Sequence, residues 1–188
     1  MELTLAFSPC PNDTFIFDAL VNGKIDTGGI SFKVIIEDVE ALNQRALKAE
    51  MDITKISFFC YANAWKHYQL LPCGGAAGFG CGPLLISKSG VDGGELTNSS
   101  VIAIPGKFTT ANLLMTIAYP ALTNKKEFLF SAIEEAVLSG KVDAGVIIHE
   151  SRFTYEKLGL KKVTDLGEFW ESKTGLPIPL GAIAIKRN

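Results

Sequence analysis

The chain has 188 residues, 47% of them apolar and 20% charged, with a formal net charge of −2. That length suffices for one large domain or two small lobes, each burying a core. Scattered lysines and arginines argue against a nucleic-acid face, the lack of any run of about 18 apolar residues argues against a membrane span, and Glu2, Pro9, Pro11, Asn12 and Asp13 interrupt any signal-peptide pattern.

Residues 3–7 read as a short buried strand, and 8–13, with two prolines and an Asn-Asp pair, as a turn. Asn12 or Asp13 is expected to cap a helix that starts near Thr14 and ends at Gly23. A strand follows at 30–36. Ala41, Leu42, Ala46 and Leu47 recur at helical spacing and predict a helix from Val39 to Ala49. Residues 51–56 read as a strand, Ser57 opens an apolar helix to Trp65, and His67 falls in a polar stretch read as surface. Glycines crowd positions 74–82, then 83–87 reads as a strand and 90–94 as a loop. A second pattern follows, with strands at 101–104, 126–130 and 144–148 and helices at 109–118 and 131–138. Short helices are expected around 156–158 and 166–170, and 181–185 closes the chain as a strand.

Strands alternating with helices across short links argue for an α/β fold, with a mostly parallel sheet covered by helices. The expected organisation is a discontinuous first lobe, 1–85 plus 181–188, and a second lobe, 86–180. Two strand crossings, near 83–88 and 179–185, would join them, with a ligand cleft between the lobes. Such sheets bind ligands beyond the carboxyl ends of their strands. The loops at 8–13, at Ser57, at 105–109 and after Ile148 fall in that place.

Three segments carry candidate chemistry, each with two readings. Ile104 to Ala111 joins a strand end, a Pro-Gly turn and a helix start bearing Thr109 and Thr110. Free N–H groups and the helix dipole there favour an anion, a carboxylate before a triphosphate because Phe108 breaks the phosphate-loop spacing after Lys107. The other reading is an ordinary Thr-capped helix. His149 follows a buried-looking strand, where a group titrating near neutrality suits proton abstraction, and Ile147 and Ile148 would keep it neutral by desolvation. It can equally be a histidine satisfied by backbone or by Glu150. Ser8 to Thr14 offers polar tips to the same region, or is a rigid turn plus a helix cap. Cys10, Cys60, Cys73 and Cys81 match no zinc pattern and read as free thiols of a reducing cytoplasm. With two histidines and no carboxylate pair at metal spacing, no catalytic metal is expected.

The opening octet Ser8 to Phe15, the segment Ile104-Pro105-Gly106 with Thr109-Thr110-Ala111, and Ile148-His149-Glu150 with Arg152 together resemble the 1,4-dihydroxy-6-naphthoate synthase family of the futalosine route to menaquinone. The resemblance runs from the first residues to the last strand. It implies a two-lobed fold of the periplasmic-binding-protein type (type II) and a lyase that cleaves cyclic dehypoxanthinylfutalosine to 1,4-dihydroxy-6-naphthoate. No metal or redox cofactor, nucleic acid or membrane partner is implied, and the expected location is cytoplasmic. By this resemblance His149 matches the base, Thr110 and Ala111 with adjacent Thr109 match the ligand contacts, and Ser57 matches the serine after the third strand. Asn12, Asp13 and Thr14 match an opening that touches the sugar-derived part. Chains of the family continue past the return strand, so the expected fold lacks the C-terminal helices of the first lobe. The alternatives are chorismate dehydratase of the same pathway, which lacks this type of opening, and a solute-binding module without catalysis.

Overall fold

The computed structural model describes residues 1–89 and 96–187, so the loop expected at 90–94 lies outside the described residues. Strands and helices alternate as far as β3. They run β1 (Glu2–Phe7), α1 (Pro11–Val21), β2 (Ser31–Ile36), α2 (Val39–Leu47) and β3 (Ile53–Ser57). Then come α3 (Phe58–Ala64), β4 (Tyr68–Leu70), β5 (Ala76–Gly78) and β6 (Leu84–Ser87). The alternation resumes with β7 (Ile102–Ile104), α4 (Thr110–Ala118), β8 (Lys125–Glu127), α5 (Ile133–Leu138) and β9 (Ala144–Ile147). The last elements are α6 (Ser151–Thr154), β10 (Lys161–Asp165), α7 (Leu166–Thr174) and β11 (Ile178–Lys186).

The chain divides into two compact units, Met1–Ala76 with Leu180–Asn188, and Ala77–Pro179. The first unit ends before the expected residue 85, because β6 pairs with β9 and β10 in the second sheet. Leu5 and Ile102 lie in separate sheets.

The first sheet runs β2-β1-β3-β11-β4. β1 is parallel to β2 and to β3, while β11 is antiparallel to β3 and β4. Successive strand residues face opposite sides. Leu5 and Phe7 therefore pack with Phe17 of α1 and with Ile183, while Ala6 packs with Leu42 of α2 and Met51. One strand thus anchors both helical layers.

The second sheet runs β10-β6-β9-β7-β8. β7 is parallel to β8 and β9, and β6 is antiparallel to β9 and β10. Leu84, Ile86, Ala103, Ile133, Val137 and Ile147 form its core. Gly145 lets α5 lie close on β9, since a Cβ there would stand 2.5 Å from Ile133 Cγ2. Each unit thus repeats one device: three parallel strands linked by two helices, with the first strand in the middle. Parallel neighbours need such crossovers. Each sheet also has two antiparallel pairings, β11 with β3 and β4 in the first and β6 with β9 and β10 in the second, so the sheets are mixed and not mostly parallel.

The finer differences have local causes. α1 starts at Pro11, not near Thr14, because proline suits the first helical position. The strand expected at 126–130 is β8, and Phe130–Ala132 forms a 3₁₀ turn ahead of α5. β4, β5 and β10 were not anticipated. Among the described residues no helix is long and apolar enough to cross a membrane.

Candidate functional site

In the first unit, β1 and β3 are adjacent parallel strands, with Leu5 opposite Ile53. Their carboxyl ends deliver the 8–14 segment and Ser57 to the same sheet edge. Asp13 is not a helix cap but sits buried in the first turn of α1. Its Oδ2 accepts from the Ser8 N–H at 3.2 Å and the Ser8 hydroxyl at 2.7 Å. This reach back from the first turn resembles the acidic arm of a capping box. Its Oδ1 lies 3.2 Å from Lys55 Nζ, which also donates to the Gly74 carbonyl at 3.0 Å. Asn12 and Thr14 flank it but are exposed, and the Thr14 hydroxyl donates to the carbonyls of Cys10 and Pro11.

Ser57 ends β3 and precedes α3. Its N–H donates to Asn43 Oδ1 at 3.0 Å, and Asn43 Nδ2 donates back to its hydroxyl at 3.1 Å. Asn43 is fully buried on α2 and also donates to Glu40 Oε2. Sequence reasoning missed it. The available signal was a polar residue at the core-facing register of Leu42 and Ala46, because buried amides are kept for their hydrogen bonds. Cys60, one of four free cysteines, donates to the Asn43 carbonyl. Burial, helped by the charge of Glu40, pushes its thiol up to about 12.

In the second unit, β7 and β9 are adjacent and parallel, with Ile102 opposite Ala144 and Ala103 opposite Gly145. The α4 start and His149 therefore share one sheet edge. Thr109 caps α4: its hydroxyl oxygen accepts from the Asn112 N–H at 3.3 Å and donates to the Gly106 carbonyl at 2.8 Å. The Thr110 hydroxyl donates to the Pro179 carbonyl at 2.8 Å. Thr109, Thr110 and Ala111 are all buried. The capping reading thus holds, and it leaves the dipole of a nine-residue helix aimed at this edge. Lys125 of β8 donates to Asn112 Oδ1 at 2.9 Å and Thr116 Oγ1 at 2.6 Å, and burial lowers its pKa.

His149 lies just past β9, after the buried Ile148. It adopts φ +59°, a left-handed backbone uncommon outside glycine. Desolvation by its strand neighbours was expected, but the residue is exposed, because the turn carries it off the buried strand. Its ring packs tilted against Phe130, with centroids 5.4 Å apart. An exposed imidazole at a strand end can exchange protons with a bound molecule. The Arg152 guanidinium donates to the Gly82 carbonyl and pairs with Asp165. The contribution of Phe130 carries no local sequence signal.

Two units of mixed sheet, with polar loops at the carboxyl ends of their parallel strands, define the periplasmic-binding-protein-like fold class. The ligand-binding component of an ABC-type import system from Staphylococcus aureus matches the chain with a TM-score of 0.68. It is 10% identical over 99% of this chain and 66% of its own, which speaks to the fold alone. The chain belongs to the menaquinone biosynthesis family, whose model matches residues 3–188. It is 45% identical over 186 residues to 1,4-dihydroxy-6-naphthoate synthase of Thermus thermophilus, covering 99% of this chain. The chain spans 66% of the length of that relative. A crystal structure of a protein from Archaeoglobus fulgidus matches with a TM-score of 0.89 at 40% identity, over 100% of this chain and 69% of that one.

Proposed function

We propose that the chain acts as a 1,4-dihydroxy-6-naphthoate synthase, a carbon–carbon lyase that works in the cytoplasm on cyclic dehypoxanthinylfutalosine without metal or redox cofactor. The observation that carries this reading is the 45% identity to the Thermus enzyme of that name over nearly the whole chain. The reaction removes a proton from the sugar-derived ring and expels the naphthoate portion as its aromatic ring forms. Aromatisation drives the cleavage, so the chief requirement is a positioned base, and His149 serves as that base. An exposed imidazole on a fixed turn supports the assignment. General-base help of this kind is typically worth about 10²–10⁴-fold.

The substrate carboxylate sits at the α4 start, where the amides of Thr110 and Ala111 and the helix dipole favour an anion. Asn12 and Thr14, exposed on the first turn of α1, and Ser57, oriented by Asn43, contact the sugar-derived part. Asp13 orders the opening from behind, since both of its oxygens are engaged by Ser8 and Lys55. Incubation with cyclic dehypoxanthinylfutalosine should release the naphthoate, followed by its absorbance. Substrate that is bound but recovered unchanged would contradict the reading and favour a solute-binding role.

A further inference from the structure

We infer that Glu134 is a positioning residue for His149, acting with Phe130 as a two-point brace on the turn that carries the imidazole; the inference rests on the reading of His149 as the base. Ser151 lies two residues past His149, and its hydroxyl donates to Glu134 Oε2 at 3.0 Å. Phe130 meets the imidazole itself at 5.4 Å. Both brace residues come from one continuous stretch, the 3₁₀ turn Phe130–Ala132 running into α5. Residues four apart on a helical stretch lie near the same face. The stretch is fixed on the strand it serves, since α5 closes on β9 at Gly145 without room for a methyl group. β9 in turn runs directly through Ile148 into His149. Brace and braced turn therefore share one rigid base.

Two features make little sense as devices for stability alone. His149 holds φ +59° although a glycine would adopt that backbone without strain. Glu134 Oε1 is buried without a hydrogen-bond partner, the one such side-chain atom among the described residues. Strained backbone and unsatisfied buried oxygens both cost stability, and they persist where the surroundings over-determine them. Here the half-satisfied Glu134 carboxylate holds Ser151, two residues beyond the strained His149.

The sequence contains two histidines, His67 and His149, so the imidazole resonances can be followed singly, with the exposed His67 in the other unit as internal reference. In the full chain, Glu134→Ala should shift the His149 ring proton signals, as the Phe130 ring current on them changes, and leave those of His67 in place. Ser151→Ala, which removes the same hydrogen bond from the other side, should shift them the same way. Glu134→Gln should keep the wild-type positions, because its amide oxygen still accepts from Ser151. In turnover, Glu134→Ala should lower kcat about tenfold to a hundredfold through misorientation, with KM little changed. It should have no further effect once His149 is alanine. Unmoved His149 resonances in both Glu134→Ala and Ser151→Ala would overturn the brace, as would an equal loss of rate with and without His149. Full turnover by His149→Ala would instead defeat the reading of the base, and the resonances would then decide the brace alone.

Discussion

Asp13 and Lys55 expose only 8% and 7% of their side chains and sit 3.2 Å apart. Asp13→Ala would leave the ammonium with the Gly74 carbonyl as its remaining close partner. Stranding one member of a buried pair costs about 3–5 kcal/mol, so the urea midpoint should fall steeply. A midpoint within error of wild type would show that solvent reaches Lys55. At His149, glycine and alanine both remove the imidazole, but only glycine relieves the left-handed backbone. His149→Gly should be more stable than His149→Ala by about 1 kcal/mol in urea unfolding. Equal stabilities would mean that the turn relaxes when the ring is gone. The residue types were legible in the sequence because each stands in a local pattern: a histidine after an apolar run, threonines after Pro-Gly. What each side chain holds was not. Asn43 meets Ser57 across 14 residues and Lys55 meets Gly74 across 19, and no spacing rule reports contacts made by folding.

At the scale of elements, Gly145 governs how closely α5 approaches β9. Gly145→Ala would place a Cβ 2.5 Å from Ile133 Cγ2 and 3.0 Å from Val137 Cγ2. Overpacking of this kind typically costs about 1–3 kcal/mol, readable as a lowered thermal midpoint. Unchanged stability would show that α5 can back away. In the first unit, Asp52 Oδ2 accepts from the Thr4 N–H at 2.8 Å and the Thr4 hydroxyl at 2.7 Å, tying β1 to the segment entering β3. The Thr4 backbone bond, then its hydroxyl, then the charge of Lys186 hold the Asp52 carboxyl below its usual range against the opposing effect of burial. A lowered folded-state pKa stabilises above the unfolded value of about 3.9, and that stability is lost as pH falls through the folded value. The unfolding free energy of wild type should therefore drop more steeply below about pH 4 than that of Asp52→Asn. Parallel curves would contradict the assignment. The long alternating elements were readable from periodicity, but β4 and β10 were not. Both are sheet-edge strands, short or carrying lysines such as Lys161 and Lys162, and edges avoid the apolar alternation that marks a strand.

For the whole molecule, two lobes were readable from the glycine cluster at 74–82 and the repeated α/β pattern. The boundary was not, because the apolar run at 83–87 suits either sheet and only pairing assigns it to the second. β11 returns to stand between β3 and β4 inside the first sheet. Deleting 180–188 should therefore leave the first unit without an internal strand, seen as loss of cooperative unfolding and of far-ultraviolet dichroism. Retained cooperativity would show that β4 can pair with β3 directly. Family membership and the 45% identity to the Thermus synthase make the chemistry specific enough to measure. The most direct measurement is naphthoate formation from cyclic dehypoxanthinylfutalosine by the wild-type chain and by His149→Ala, at saturating substrate. Wild type should turn over, and the variant should still bind substrate while its kcat falls by about 10²–10⁴-fold. Near-full turnover by His149→Ala would contradict His149 as the base.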